Sequence, residues 1–129
     1  MPSAKPSHLR RATGALVAIA ILVVSLASVA REPVPSIVSA SALPIEARAT
    51  LAHIREGGPF PYERDGVVFS NRERLLPSKA RGYYHEYTVP TPQSRTRGAR
   101  RIVCGGAVAS VGECYYSDDH YRSFRKIQP

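Results

Sequence analysis

The sequence predicts an α+β fold in which one N-terminal helix packs on a small antiparallel β-sheet. Two observations carry that prediction. Apolar residues recur at helical spacing in one stretch only, within Pro44 to Glu56, and beyond Pro59 the chain turns to aromatic and β-branched residues punctuated by Gly and Pro. A single helix followed by a run of short strands is the α+β pattern.

The first thirty residues stand apart from that domain and read as an export signal. Lys5, Arg10 and Arg11 form a basic start, Gly14 to Leu26 an apolar run, and Ser28 with Ala30 the small residues that a signal peptidase accepts. Cleavage is expected after Ala30. A retained membrane anchor is the competing reading, but Gly14 to Ala30 spans only 17 residues, short of the roughly 20 that cross a bilayer. No cysteine lies near the cut, so lipid attachment is not expected. The remaining chain is expected to be secreted and monomeric, without stable membrane association.

What remains is residues 31–129, enough for one small domain and one core. Its cations outnumber its anions by 15 to 10 once the three leader cations are set aside, which favours a polyanionic partner. Nearly all of them are arginine, whose planar fork of donors matches phosphate oxygens better than a lysine point charge does. Basic composition by itself also describes an ordinary solvated surface. Cys104 and Cys114 fit an exported protein with one disulfide closing a short loop, with two free thiols as the alternative.

Along the chain, residues 31–40 read as a flexible lead-in, broken by Pro33 and Pro35, and the domain as 41–129. The helix expected over Pro44 to Glu56 turns Leu43, Ala47, Leu51 and Ile54 toward the core and Glu46, Arg48 and Arg55 away from it. Gly57, Gly58 and Pro59 stop it. Val67 to Phe69 reads as a short strand and Tyr83 to Val89 as the strongest one. Its period of two puts Tyr84, Glu86 and Thr88 on one face and Tyr83, His85, Tyr87 and Val89 on the other. Ala99 to Cys104, Tyr115-Tyr116 and Tyr121 to Phe124 complete the expected sheet.

Glu86 is an unusual residue for the middle of an aromatic strand, and Arg95, Arg97, Arg100 and Arg101 cluster at the start of the next. If the two strands pair, Glu86 and Arg101 share a face. A carboxylate beside guanidiniums is kept ionised and able to accept a proton. On pattern alone, a structural salt bridge is the better reading of that pair, because ion pairs also form without catalysis. His120 lies in S-D-D-H-Y between short strands, an accessible place for an imidazole that gives up a proton near neutral pH. Asp118 and Asp119 are expected to favour its charged form. His53 and His85 read as solvated or packed histidines.

The stretches G-P-F-P-Y (58–62), D-G-V-V-F-S-N-R-E (65–73), Y-Y-H-E-Y-T-V (83–89), R-T-R-G-A-R-R (95–101) and D-H-Y (119–121) resemble, in order and nearly in spacing, the bacterial guanyl-specific extracellular ribonucleases, the barnase-related microbial ribonuclease family. The resemblance covers about Ser41 to Phe124. It implies an endoribonuclease that cuts single-stranded RNA 3′ of guanosine through a 2′,3′-cyclic phosphate, without metal or other cofactor. It also implies roles: Glu86 as general base, His120 as general acid, Arg101 and Arg97 on the phosphate. Glu73 would read guanine, with Ser70, Asn71 and Arg72 around it, and Phe69 and Tyr121 would lie near the base. Relatives often have an acidic, barstar-like protein inhibitor, which the arginines would suit.

Two departures from the family stand out. Relatives commonly join their termini by a long-range disulfide, whereas Ser39 stands near the first cysteine's place and the chain ends before the second. Cys104 and Cys114 flank a slightly lengthened stretch instead and are expected to bond to each other. Ser70 replaces a longer polar residue, which bears on guanine affinity. Arg72, Arg74, Arg81 and Arg122 would strengthen nonspecific RNA contact. A noncatalytic, secreted RNA-binding domain on the same fold is the alternative, disfavoured because a mere binder has no need of the Glu, Arg and His set together. N-terminal sequencing of the exported protein is expected to begin at Arg31; an exported product that retains the leader sequence contradicts the cleavage expectation.

Overall fold

The structure, a computed structural model, describes residues 2–5, 25 and 31–129. The export signal expected over residues 1–30 lies outside the described residues apart from those five. Among the described residues, no helix is long and apolar enough to cross a membrane.

The chain forms strand β1 (Ser36–Ser39), a 3-10 turn (Ala40–Ala42), helix α1 (Ile45–Glu56), then strands β2 (Tyr84–Thr88), β3 (Arg101–Gly105), β4 (Cys114–Ser117) and β5 (Arg125–Gln128). The five strands make one sheet in the order β1-β5-β4-β3-β2. It is antiparallel except at one edge, where β1 runs parallel to β5. This is the α+β architecture the sequence predicts.

Helix α1 begins after Pro44, with Glu46 in its first turn complementing the positive end of the helix dipole. It ends at Gly57, which adopts a left-handed φ of 79° while the Gly58 N–H donates to the His53 carbonyl. Its expected stripe packs as drawn: Leu43, Ala47 and Ile54 are buried and Leu51 is half-buried. They meet Tyr87, Val89, Ile102, Cys104, Tyr116 and Ile127, one face of the sheet. The opposite face carries a second, smaller cluster of Tyr84, Val103, Tyr115, Leu76 and Phe124. Alternation along β2 and β3 thus assigns one set of side chains to the helix and leaves Glu86, Thr88 and Arg101 with the other set.

Three expectations change. Residues 36–39 are not a loose lead-in, because β1 pairs with the last strand in register from Ser36↔Arg125 to Ser39↔Gln128. Only Val38 of β1 packs against the core, and its other three residues are exposed, so hydrophobic patterning does not reveal the strand. Tyr121 to Phe124 is not a strand: His120 and Tyr121 take left-handed φ values of 56° and 70°, and the strand comes later, as β5. Val67 to Phe69 reduces to a single bridge, Val68 to His85, although Phe69 N–H to Tyr84 O and Glu86 N–H to Val67 O still lash this stretch to β2.

Cys104 and Cys114 form a disulfide between directly opposed residues of β3 and β4, ten positions apart in sequence. Closing so short a loop stabilises by about 2 to 3 kcal/mol in the chain-entropy model. The Cys104→Ala/Cys114→Ala variant is therefore expected to melt roughly 10 to 20 °C lower. An unchanged melting temperature by calorimetry contradicts this.

Candidate active site

The helix-free face of the sheet concentrates charge where a sheet normally buries apolar groups. Glu86 is 7% exposed and Arg101 2% exposed. Glu86 pairs across the strands with Val103 and Thr88 with Arg101, so the carboxylate and the guanidinium are diagonal neighbours on one face. The ion-pair partners of Glu86 are Arg97 and Arg64, each with a nitrogen 3.8 Å from its Oε1. Arg97 is aimed by two hydrogen bonds, from Nε and Nη2 to the Thr88 hydroxyl at 3.0 and 2.8 Å. Arg64 was not singled out from the sequence; its only signal was its place directly before the Asp65-Gly66 turn.

Arg101 is held through one end of its guanidinium. Its Nη1 donates to the carbonyls of Gly98 at 3.0 Å and Arg100 at 2.8 Å. Gly98 makes this turn possible: its φ is 65°, and a Cβ there would lie 2.6 Å from the Thr91 hydroxyl. The Arg101 Nε is buried and has no hydrogen-bond partner among the described residues. A buried charged donor left open is costly, and a phosphate oxygen is a fitting acceptor for it.

Tyr121 joins this cluster to the base-recognition loop. The Arg101 guanidinium lies 5.8 Å from its ring centre. Burial, then the charge of Glu86 and a hydrogen bond to it, push the phenol up to about 12, with Arg101 opposing. The phenol is thus neutral throughout the physiological range. Its ring stacks on Phe69 at 5.2 Å and lies 5.0 Å from the His120 ring.

His120 is exposed and sits on a short loop built by Asp119. The Asp119 carboxylate accepts from the Ser117 hydroxyl and from the Ser123 N–H, both at 2.9 Å, and from the Ser123 hydroxyl. The Ser117 hydroxyl in turn accepts from Tyr121 N–H, and His120 N–H donates to the Ala99 carbonyl at 2.9 Å. Burial pushes the Asp119 carboxyl up, but the Ser123 and Ser117 hydrogen bonds outweigh it and hold it below the ordinary value. Asp118 pairs with Arg125 at 3.2 Å. The Asp118 carboxylate thus faces Arg125, and the Asp119 carboxylate shapes the loop that presents the imidazole.

The remaining expected residues converge on one cavity of about 300 Å³, lined by Phe69 to Glu73, Leu75, Tyr121, Phe124 and His120. Asn71 adopts a left-handed φ of 51°. Its side-chain amide donates to the Leu76 carbonyl at 2.9 Å and accepts from the Leu76 N–H at 3.1 Å. The Asn71 side chain therefore ties the loop closed, and the N–H groups of Asn71, Arg72 and Glu73 take no part in the turn's own backbone hydrogen bonds. Glu73 stands exposed at the cavity wall. All the residues singled out for catalysis and base recognition thus lie at one connected site, with Tyr121 as the link.

A sheet face that pairs a buried carboxylate with arginines, beside a histidine and an aromatic-walled cavity, defines a site for a planar base attached to a phosphate. A family model described as ribonuclease matches residues 28–128, and the chain belongs to the ribonuclease family. It is similar to guanyl-specific ribonuclease Sa3 of Kitasatospora aureofaciens, with 62% identity over 87 residues, 67% of this chain and 60% of that protein. Guanyl-specific ribonuclease Sa of the same organism is 59% identical over 87 residues, 67% of this chain and 88% of that protein. Among solved structures, ribonuclease Sa2 with guanosine-2′-cyclophosphate superposes with a TM-score of 0.68 at 52% identity, covering 74% of this chain and 98% of that one.

The role of Asp119 gives a prediction with two readouts. Its lowered carboxyl means that the bonds to Ser117 and Ser123 contribute stability that is fully present above the ordinary aspartate value and is lost as pH falls below it through the lowered folded value. Asp119→Ala is expected to flatten the acid side of the stability curve and, by loosening the His120 loop, to lower kcat roughly tenfold to a hundredfold. A variant with wild-type kcat shows that the loop needs no such support.

Proposed function

We propose that this chain is an exported endoribonuclease that cleaves single-stranded RNA on the 3′ side of guanosine, through a 2′,3′-cyclic phosphate, by acid-base catalysis that needs no metal. The observation that carries this reading is the Glu86 carboxylate at ion-pair distance from Arg64 and Arg97, with the Arg101 guanidinium and the His120 ring against Tyr121, beside the cavity lined by Phe69 to Glu73.

Glu86 removes the proton from the ribose 2′-hydroxyl, and the freed oxygen attacks phosphorus. His120 protonates the 5′-oxygen as its bond to phosphorus breaks. Charge gathering on the nonbridging oxygens is balanced by Arg101, with its open Nε, and by Arg97, oriented by Thr88. Water then opens the cyclic phosphate with the two proton carriers exchanging roles. The Tyr121 ring lies against the Arg101 guanidinium on one side and stacks on Phe69, so it joins the phosphate site to the base cavity.

Guanine enters the cavity against Phe69 and Tyr121. The Glu73 carboxylate accepts from its N1 and N2 hydrogens, and N–H groups at Asn71 and Arg72 donate to O6. Adenine presents a donor where O6 would be and leaves these groups unpaired, a mismatch that discriminates strongly. Ser70, short and exposed, lines the same cavity. The arginines around the site also suit an acidic, barstar-like inhibitor, and the enzyme acts as a secreted monomer.

Glu86→Gln and His120→Ala are each expected to lower kcat by about 10² to 10⁴ on guanylyl-3′,5′-cytidine, with little change in KM. Glu73→Gln should instead erase the preference for guanosine over adenosine dinucleotides. Activity is expected to persist in chelator. Full cleavage by the Glu86 variant, or loss of activity with chelator, overturns the mechanism.

A further inference from the structure

A cavity of about 570 Å³ lies on the other side of the base loop from His120. It shares Phe69 to Arg72 with the guanine cavity as a common wall. Four cations line it, Arg72, Arg74, Lys79 and Arg81, and no carboxylate does. All four are exposed. The carboxylate near its rim, Glu32, is engaged by the Ser78 N–H at 2.9 Å. Lys79 rests 5.3 Å above the Tyr83 ring, which holds its charge near the groove without neutralising it. Val68, 49% exposed, contributes an apolar wall. A groove that combines unpaired cations with an apolar strip, opening beside a base pocket, has the chemistry of a single-strand backbone track.

We infer that this groove binds the phosphates of the RNA strand 5′ of the guanosine, an extended-substrate subsite that rests on the proposed ribonuclease activity. Direction follows from order along the surface. The leaving 5′-oxygen, and with it the strand 3′ of the cut, belongs at His120. The wall from Phe69 to Arg72 holds the guanine, and the Lys79–Arg81 groove lies beyond that wall, where the strand leaving the guanosine on its 5′ side would run. Arg72 contributes to both cavities, whereas Lys79 and Arg81 line only the groove and lie outside the catalytic and base-reading set.

The test compares wild type with Lys79→Gln/Arg81→Gln on three substrates: guanylyl-3′,5′-cytidine, the same step with an adenosine run on its 5′ side, and the same step with that run on its 3′ side. Wild type is expected to cleave the 5′-extended substrate with the lower KM. The double variant should raise that KM about tenfold, two phosphate contacts at about threefold each, leaving kcat and the other two substrates unchanged. Binding of a 5′-extended oligomer carrying 2′-deoxyguanosine, which cannot be cleaved, should lose about 1.4 from its log-log salt slope. Equal losses on all three substrates, a loss confined to the 3′-extended one, or an unchanged salt slope overturns the subsite. If wild type cleaves none of the guanosine substrates, the proposed activity fails, and the uncleavable oligomer still decides the groove.

Discussion

The antiparallel pairing of β2 with β3 is the constraint on which the rest of the molecule depends. Its register, Glu86 opposite Val103 and Thr88 opposite Arg101, sends Tyr87, Val89, Ile102 and Cys104 toward the helix. The charged residues go to the other face. Because side chains alternate, a slip of one residue would bury Glu86 and Arg101 under α1 and expose the core. The register is pinned from both sides. On the helix face, Leu43, Ala47 and Ile54 close over it, and the cystine joins β3 to β4 at their ends. Beyond β2, the Asp65 carboxylate accepts from Thr88 N–H at 2.7 Å and Gly66 N–H donates to Glu86 O at 2.8 Å.

Burying a carboxylate and a guanidinium on a sheet is costly unless each is compensated. The compensation here is shared and incomplete. Glu86 faces Arg64 and Arg97 at ion-pair distance and the Tyr121 phenol, while Arg101 spends one nitrogen on backbone carbonyls and leaves Nε open. A purely structural salt bridge would have paired Glu86 with Arg101 directly and satisfied both. In the arrangement found, Glu86 meets Arg64 and Arg97, and the Arg101 Nε stays open.

The loops divide their labour in a way that residue type alone does not disclose. Asn71 uses its side chain to close the base loop, Asp119 uses its carboxylate to build the His120 loop, and both loops place residues in left-handed backbone. Non-glycine residues at such φ values persist where surrounding bonds over-determine them. The two loops meet through the Phe69–Tyr121 stack, so the Asn71 loop and the His120 loop are joined by one aromatic contact.

Much of this was legible in the residues. Helical spacing identified Leu43, Ala47 and Ile54; alternation placed Glu86 and Thr88 together; and the ordered motifs named every residue that lines the cavity beside His120 except Leu75 and Phe124. Other features were not legible, and each for a physical reason. β1 packs only Val38 against the core and so leaves no side-chain pattern, and the Tyr121–Phe124 segment is diverted from strand by hydrogen bonds to Asp119 and Ser117. Alternation and periodicity are local, so the sequence by itself determined which face of each element is apolar. Which arginines stand against Glu86, where the Asp119 carboxylate spends its bonds, and that Lys79 and Arg81 share a groove with the base loop were decided only in the tertiary structure. Those contacts join residues far apart in the chain, and their geometry exists only once the sheet has set the distance between them.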